Sequence, residues 1–319
     1  MGQYSASLHR ISRAALPILA VIAAACDSGD ISEPTPRPAP KPDPAPEIYV
    51  IPVVVHVVHL GEPVGVGHNL STARIQRQIA ALNDDYRRKE GTRGFNQHPD
   101  GGDARIEFVL ARSAPDGSPT NGIVRIDAKA VDNPTSPNAL FDYYAHYSYW
   151  APEHYLNIWT LPLPESTVDV FLGKATGPDT DLPGADNLLR GEPFQAEGVL
   201  INSAHFGESD IDSDYNLGRT LTHEIGHYLG LLHPWGAGDC EQNDFCEDTP
   251  PVSAPVAGCP TNLPLACNGQ PVMVQNYMNY SFDRCMNTFT NDQIARMHHV
   301  LKQSQMRSTL LTSPGLNRP

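Results

Sequence analysis

The chain has little positive charge and no basic run. Lys and Arg number 22 against 36 Asp and Glu, a formal net charge of −14 over 319 residues. Nucleic-acid binders gather their cations on one face or helix, so nucleic acid is not an expected partner. No apolar stretch comfortably reaches the roughly 20 residues that a bilayer-crossing helix needs. The six cysteines contain no C-x-x-C pair, which argues against zinc-finger-like use. Internal repeats are absent, and so is a second linker, so one folded domain is expected. Proline, by contrast, is plentiful at 30 residues, and many fall in one tract.

That tract follows an export-like amino terminus. Met1–Arg13 is polar and carries Arg10 and Arg13, and Ala14–Ala25 is an apolar run interrupted only by Pro17. Residues 1–25 therefore read as a signal peptide, and the cysteines suit an oxidising compartment. Ala23-Ala24-Ala25-Cys26 allows two readings of the cut. It resembles a bacterial lipobox, with Cys26 becoming the lipidated first residue, and it is equally an A-x-A signal-peptidase site. Membrane contact is expected only through a lipid anchor at Cys26. From Pro34 to Pro46 every second residue is proline, so 26–47 should form a stiff, extended tether. It is too short for a folded prodomain. The domain is expected over 48–312, divided at Gly230 into upper (48–230) and lower (231–312) parts, with 313–319 a tail.

Tyr49–Val58 is β-branched and nearly continuous, as in a strand buried on both faces, with Pro52 drawing it toward a strand start or edge. His56 and His59 belong to no ligand-spaced cluster and read as structural. Ser71 can cap a helix to about Arg88, with Ile75, Ile79, Leu82 and Tyr86 on one stripe. Ile106, Phe108 and Leu110 alternate as a half-buried strand, and Tyr155–Thr160, Val170–Thr176 and Gly198–Asn202 read as further strands. Thr290 and Gln293 form a capping box before a helix whose apolar face is Ile294, Met297 and Leu301, with His298 and His299 at the surface. The fold class is α/β with a mixed sheet.

His223-Glu224-Ile225-Gly226-His227-Tyr228-Leu229-Gly230-Leu231-Leu232-His233 reads H-E-x-x-H-x-x-G-x-x-H. A helix over Leu217–Leu229, capped by Asn216 or Asp214, sends His223 and His227 from one face, one turn apart. Gly230 then breaks the helix so that His233 completes a three-imidazole set. Three neutral imidazoles and an open fourth position suit a catalytic Zn2+. Glu224 stands beside the first histidine, placed to act as general base on zinc-activated water.

Together with Asn276-Tyr277-Met278-Asn279-Tyr280, this stretch resembles the pappalysin-type metzincins, a family of zinc endopeptidases. The resemblance implies a twisted mixed sheet, an active-site helix and an irregular, disulfide-braced carboxyl-terminal subdomain. It makes Met278 a platform beneath the histidines and Tyr280 a phenol that stabilises the oxyanion. It makes the Phe171–Thr176 strand the edge on which a peptide or protein substrate adds as an extra strand. It pairs Cys240–Cys267 and Cys259–Cys285 and leaves Cys246 as a small buried filler, with exchange against Cys240 or metal contact as alternatives. It assigns Asp244, Asp248 and Thr249 to Ca2+, a solvated acidic loop being the other reading. Arg284 departs from the pattern: a cation in the S1′ wall would favour neutral or acidic P1′ residues. The expected function is a secreted or surface-anchored zinc endopeptidase. The alternatives are an inactive metzincin-like surface binding or adhesion module, or another zinc hydrolase such as an amidase. Intact Glu224, Gly230, Met278 and Tyr280 favour the enzyme.

Overall fold

The structure, a computed structural model, describes residues 47–128, 139–163, 171–188, 196–236, 238, 240, 241 and 243–317. The expected signal peptide, Cys26 and the proline tract to Pro46 lie outside the described residues. Among the described residues no helix is long and apolar enough to cross a membrane.

The core strand is β1 (Tyr49–His59), buried from Ile51 onward. It runs parallel to β2 (Ile106–Leu110), β3 (Ile123–Asp127) and β4 (Leu156–Leu161). Burial on both faces accounts for its continuous Val and Ile content. Pro52 sits where pairing with β4 has not yet begun, so its missing N–H breaks no ladder on that side. Beyond β4 come β6 (Val199–Asn202), parallel, and β5 (Gly173–Ala175), antiparallel at the sheet's edge. The expected strand over 170–176 is shorter than anticipated, and its first residue, Val170, lies outside the described residues. Among the elements not foreseen are β3, half-buried except for exposed Asp127, and α2 (Ala139–Tyr147), which packs Phe141 and Tyr144 around Trp159. His56 is fully buried between Ser148 Oγ and Asn157 Oδ1, each at 2.9 Å, and burial lowers its pKa to about 4.

Helix α1 (Thr72–Tyr86) is capped by Ser71, whose Oγ accepts from Arg74 N at 3.2 Å. It buries Ile75, Ile79, Leu82 and Tyr86 against α3 (Arg219–Tyr228) and the sheet. The start of α3 corrects the sequence reading. Neither Asn216 nor Asp214 caps it; Gly218 holds the cap position with φ +80°, packed against the Gln78 amide. The free amides of Leu217 and Arg219 donate to Asp283 Oδ2 at 2.8 and 3.2 Å. A cap from a distant loop leaves no local sequence signal.

At the other end, Gly230 adopts φ +91° and Leu231 N donates to Gly226 O, turning the chain back. The buried Arg307 of α5 (Gln305–Ser308) donates to Tyr228 O, stacks 3.6 Å over the Tyr228 ring and pairs with Glu197. A cation there also suits the helix's negative end. α4 (Asn291–Gln303) has both arms of the Thr290–Gln293 capping box. Of its two histidines, His299 is at the surface as expected, its Nε2 2.7 Å from Asp181 Oδ1, while His298 is half-buried with Nε2 2.7 Å from Ala104 O.

The lower part is irregular. Cys240–Cys267 and Cys259–Cys285 brace it, with the short parallel pair β7 (Ala257–Gly258) and β8 (Tyr280–Ser281) between. Packed structure also runs past the expected end at 312. Ser313 Oγ donates to His154 O, Arg112 N donates to Gly315 O, and Gly315 lies against Tyr155.

Candidate metal centre

The helical turn between His223 and His227 and the reversal at Gly230 bring three imidazoles together. Their Nε2 atoms form a triangle with edges of 3.1, 3.1 and 3.0 Å. Among the described residues it is the one group of three or more His, Cys, Asp or Glu placed to hold a metal ion. His223 Nδ1 lies 2.7 Å from Tyr277 O and His227 Nδ1 2.8 Å from Leu231 O. Each Nδ1 must donate to its carbonyl, which leaves Nε2 as a bare lone pair. The lone pairs of His223 and His227 cannot bond one another, and a cation among the three nitrogens would satisfy both. Zinc–nitrogen bonds of about 2.0–2.1 Å at tetrahedral angles put nitrogens roughly 3.3 Å apart, within a few tenths of these edges. The donor set fits zinc. Burial, then repulsion from the neighbouring His227 imidazole, lowers His223 to about 3; burial lowers His227 to about 4, and burial lowers His233 further. All three are thus neutral and ready to ligate at ordinary pH.

Glu224 is buried beside this triangle in a cavity of about 790 Å³. Burial pushes its pKa up to about 8, with Lys174 opposing. A dication on the imidazoles would favour the carboxylate and draw that value down. Gly173 of the edge strand makes room for this residue, since a Cβ there would come within 2.8 Å of Glu224 Cγ. Met278 is fully buried, and its Sδ would lie 2.4 Å from a Cβ on Gly226. Gly226, inside the zinc stretch, is therefore what lets the methionine sit under the helix. The Tyr280 ring stands 5.0 Å from His233 and 5.9 Å from His223, lining the cavity. Burial raises its pKa, with Glu224 adding. Trp235 stacks on His233 at 4.3 Å and meets Tyr280 edge-on at 4.7 Å.

Arg284 is not where the specificity expectation needs it. It is exposed, pairs with Asp214, lies 4.8 Å over the Phe282 ring and is not among the cavity-lining residues. The Asp, Glu, Lys and Arg residues that line the cavity are Lys174, Arg219, Glu224 and Asp283. Asp283 spends Oδ2 on the helix amides, while Oδ1 is buried without a partner. The neutral or acidic P1′ preference therefore loses its basis. A turn at Asp283–Cys285 sends neighbouring side chains opposite ways, which the sequence does not show.

In the braced loop, Asp244 Oδ1 accepts from Thr249 Oγ1 at 2.6 Å, and Asp248 Oδ2 accepts from Asp292 N at 2.9 Å. Asp244 Oδ2 and Asp248 Oδ1 are buried with no partner. Burial raises Asp244 to about 6. Cys246 is a buried free thiol, and Cys240 is bonded to Cys267.

Sequence reasoning passed over Gly226, Trp235, Asp283, and the buried pair Asp85–Arg219 joined at 3.0 Å. Gly226 and Trp235 lay within or beside the motif and carried a readable signal: a helix-interior glycine and an aromatic next to a ligand. The other three depend on tertiary placement.

Residues 141–302 match the family described as Pregnancy-associated plasma protein-A. The chain is 37% identical over 132 residues to Extracellular metalloprotease 1 of Coccidioides posadasii, covering 41% of this chain and 45% of that protein. It is 30% identical over 250 residues to an extracellular metalloprotease of Verticillium alfalfae, covering 78% and 75%. Of several other curated relatives it spans less than half the length, down to 35%. Among solved structures it resembles mature mirolysin of Tannerella forsythia in complex with a cleaved peptide. That match has a TM-score of 0.71 at 34% identity, covering 86% of this chain and all of that one.

Proposed function

Since the chain belongs to the pappalysin family of metzincins, we propose that it is an exported zinc endopeptidase. The observation that carries this reading is the Nε2 triangle with buried Glu224 beside it, in a cavity bordered by the edge strand β5. Export rests on the signal-like amino terminus and on the extracellular naming of the relatives.

His223, His227 and His233 would hold the metal. Zinc, when bound, supplies Lewis acidity that acidifies water and polarises the scissile carbonyl. β5 pairs with β6 along one edge, and its other edge can accept an extended substrate as an antiparallel strand. Glu224 takes the proton of the attacking water and passes it to the leaving amine, which suits a buried carboxyl whose pKa is raised toward neutrality. Tyr280 donates its phenol hydrogen to the developing oxyanion. Met278 and the carbonyls of Tyr277 and Leu231 keep the rings oriented.

Glu224→Gln should retain zinc and lose peptide cleavage by about 10³-fold, within the range for removing a general acid–base. Near-normal turnover in that variant, or in chelator-treated wild type, would rule the mechanism out, and a folded, zinc-loaded wild type that cleaves no peptide would leave a binding module.

Asp283 gives the cavity wall a buried carboxylate oxygen without a partner, so a basic P1′ side chain is the complementary one. A peptide-library digest should show cuts before Lys or Arg, and Asp283→Asn, which keeps an oxygen for the helix cap, should lose that bias. Cuts before acidic residues in the wild type would contradict it.

The orphaned oxygens of Asp244 and Asp248, with Thr249 beside them, suit a hard cation, and we assign Ca2+ there. Calcium should raise Tm in the wild type and leave Asp244→Asn unchanged; equal wild-type melting with and without calcium would remove the site.

A further inference from the structure

We propose that Asp85 of α1 is a positioning residue for the metal centre, holding the first turn of α3, and with it His223, against α1. The proposal rests on the zinc reading above. Asp85 is fully buried and belongs to no part of the catalytic apparatus already described. Its two oxygens serve two residues of α3: Oδ1 takes Arg219 Nη2 at 3.0 Å and Oδ2 takes Thr222 Oγ1 at 2.7 Å. Arg219 opens the helix, and Thr222 immediately precedes His223. The Tyr277 phenol comes up to the same carboxylate without meeting hydrogen-bond geometry there. Tyr277 in turn offers its carbonyl to His223 Nδ1 at 2.7 Å. One carboxylate thus borders both the residue before the first ligand and the residue whose carbonyl sets that ligand's tautomer. Tyr86 adds a second tie, its hydroxyl donating to Thr222 O at 3.1 Å.

Stability alone is a poor reason for this arrangement. Burying a carboxylate and a guanidinium together costs desolvation that an apolar pair of similar volume avoids. What the charged pair adds is direction: two bonds from one rigid group fix both the rotation and the depth of the helix turn. Zinc ligands need that, because small changes in ring orientation weaken the metal.

The test uses the full chain, with zinc affinity measured by chelator competition and kcat and KM measured on one peptide. Asp85→Asn should bind zinc about 10–100-fold more weakly, as loss of outer support around a ligand does. Its kcat should fall while KM holds. Thr222→Val removes the same tie without disturbing the ion pair and should weaken zinc, whereas Thr222→Ser should restore it; this pair decides the matter if Asp85→Asn does not fold. Zinc affinity unchanged in folded Asp85→Asn, or equal in Thr222→Val and Thr222→Ser, would overturn the proposal while leaving the zinc reading intact. A wild type that takes up no zinc would overturn both.

Discussion

Three uncharged ring nitrogens held about 3 Å apart are an unfavourable arrangement unless a cation lies among them. Much of the molecule serves to impose it. α3 is fixed at its start by Asp283 and the Asp85–Arg219 pair, and at its end by Gly230 and Arg307. The His223 ring is turned by Tyr277 O, and His233 is pressed between Trp235 and the other imidazoles. The braced lower part presents Tyr277, Met278, Tyr280 and Asp283 along one short run, and Cys285 carries that run's disulfide. The sheet contributes its edge strand β5 and, through Gly173, room for Glu224.

Much of this was legible because local rules agree with the final packing. β1 is buried on both faces and reads as a continuous apolar run. α1 and α4 carry capping residues in place and one buried stripe each. The imidazole triad was legible for the same reason: i, i+4 spacing and a glycine reversal are local geometry. β3 and α2 escaped because their burial depends on neighbours elsewhere. β3 lies half-covered beside β1, and the aromatics of α2 matter through Trp159.

The sharper failure concerns two adjacent residues of opposite charge. Arg284 was read as part of the pocket wall, and Asp283 was not read at all. In the folded chain Asp283 faces the helix amides and the cavity, while Arg284 meets Asp214 outside it. The same fact explains the misplaced cap of α3. Helix amides left without a local acceptor took one from that turn, and doing so set which side chain points inward. One carboxylate oxygen, accepting from two amides, therefore sets both a helix boundary and which of two neighbouring charges lines the cavity.

What the three imidazoles hold decides the chemistry of the site. X-ray absorption at the zinc edge, on the purified full chain, tests it most directly. It should show one zinc per chain with three imidazole nitrogens at about 2.0–2.1 Å and oxygen in the remaining position. Sulfur scatterers, or no zinc retained under conditions where the protein is folded, would contradict it.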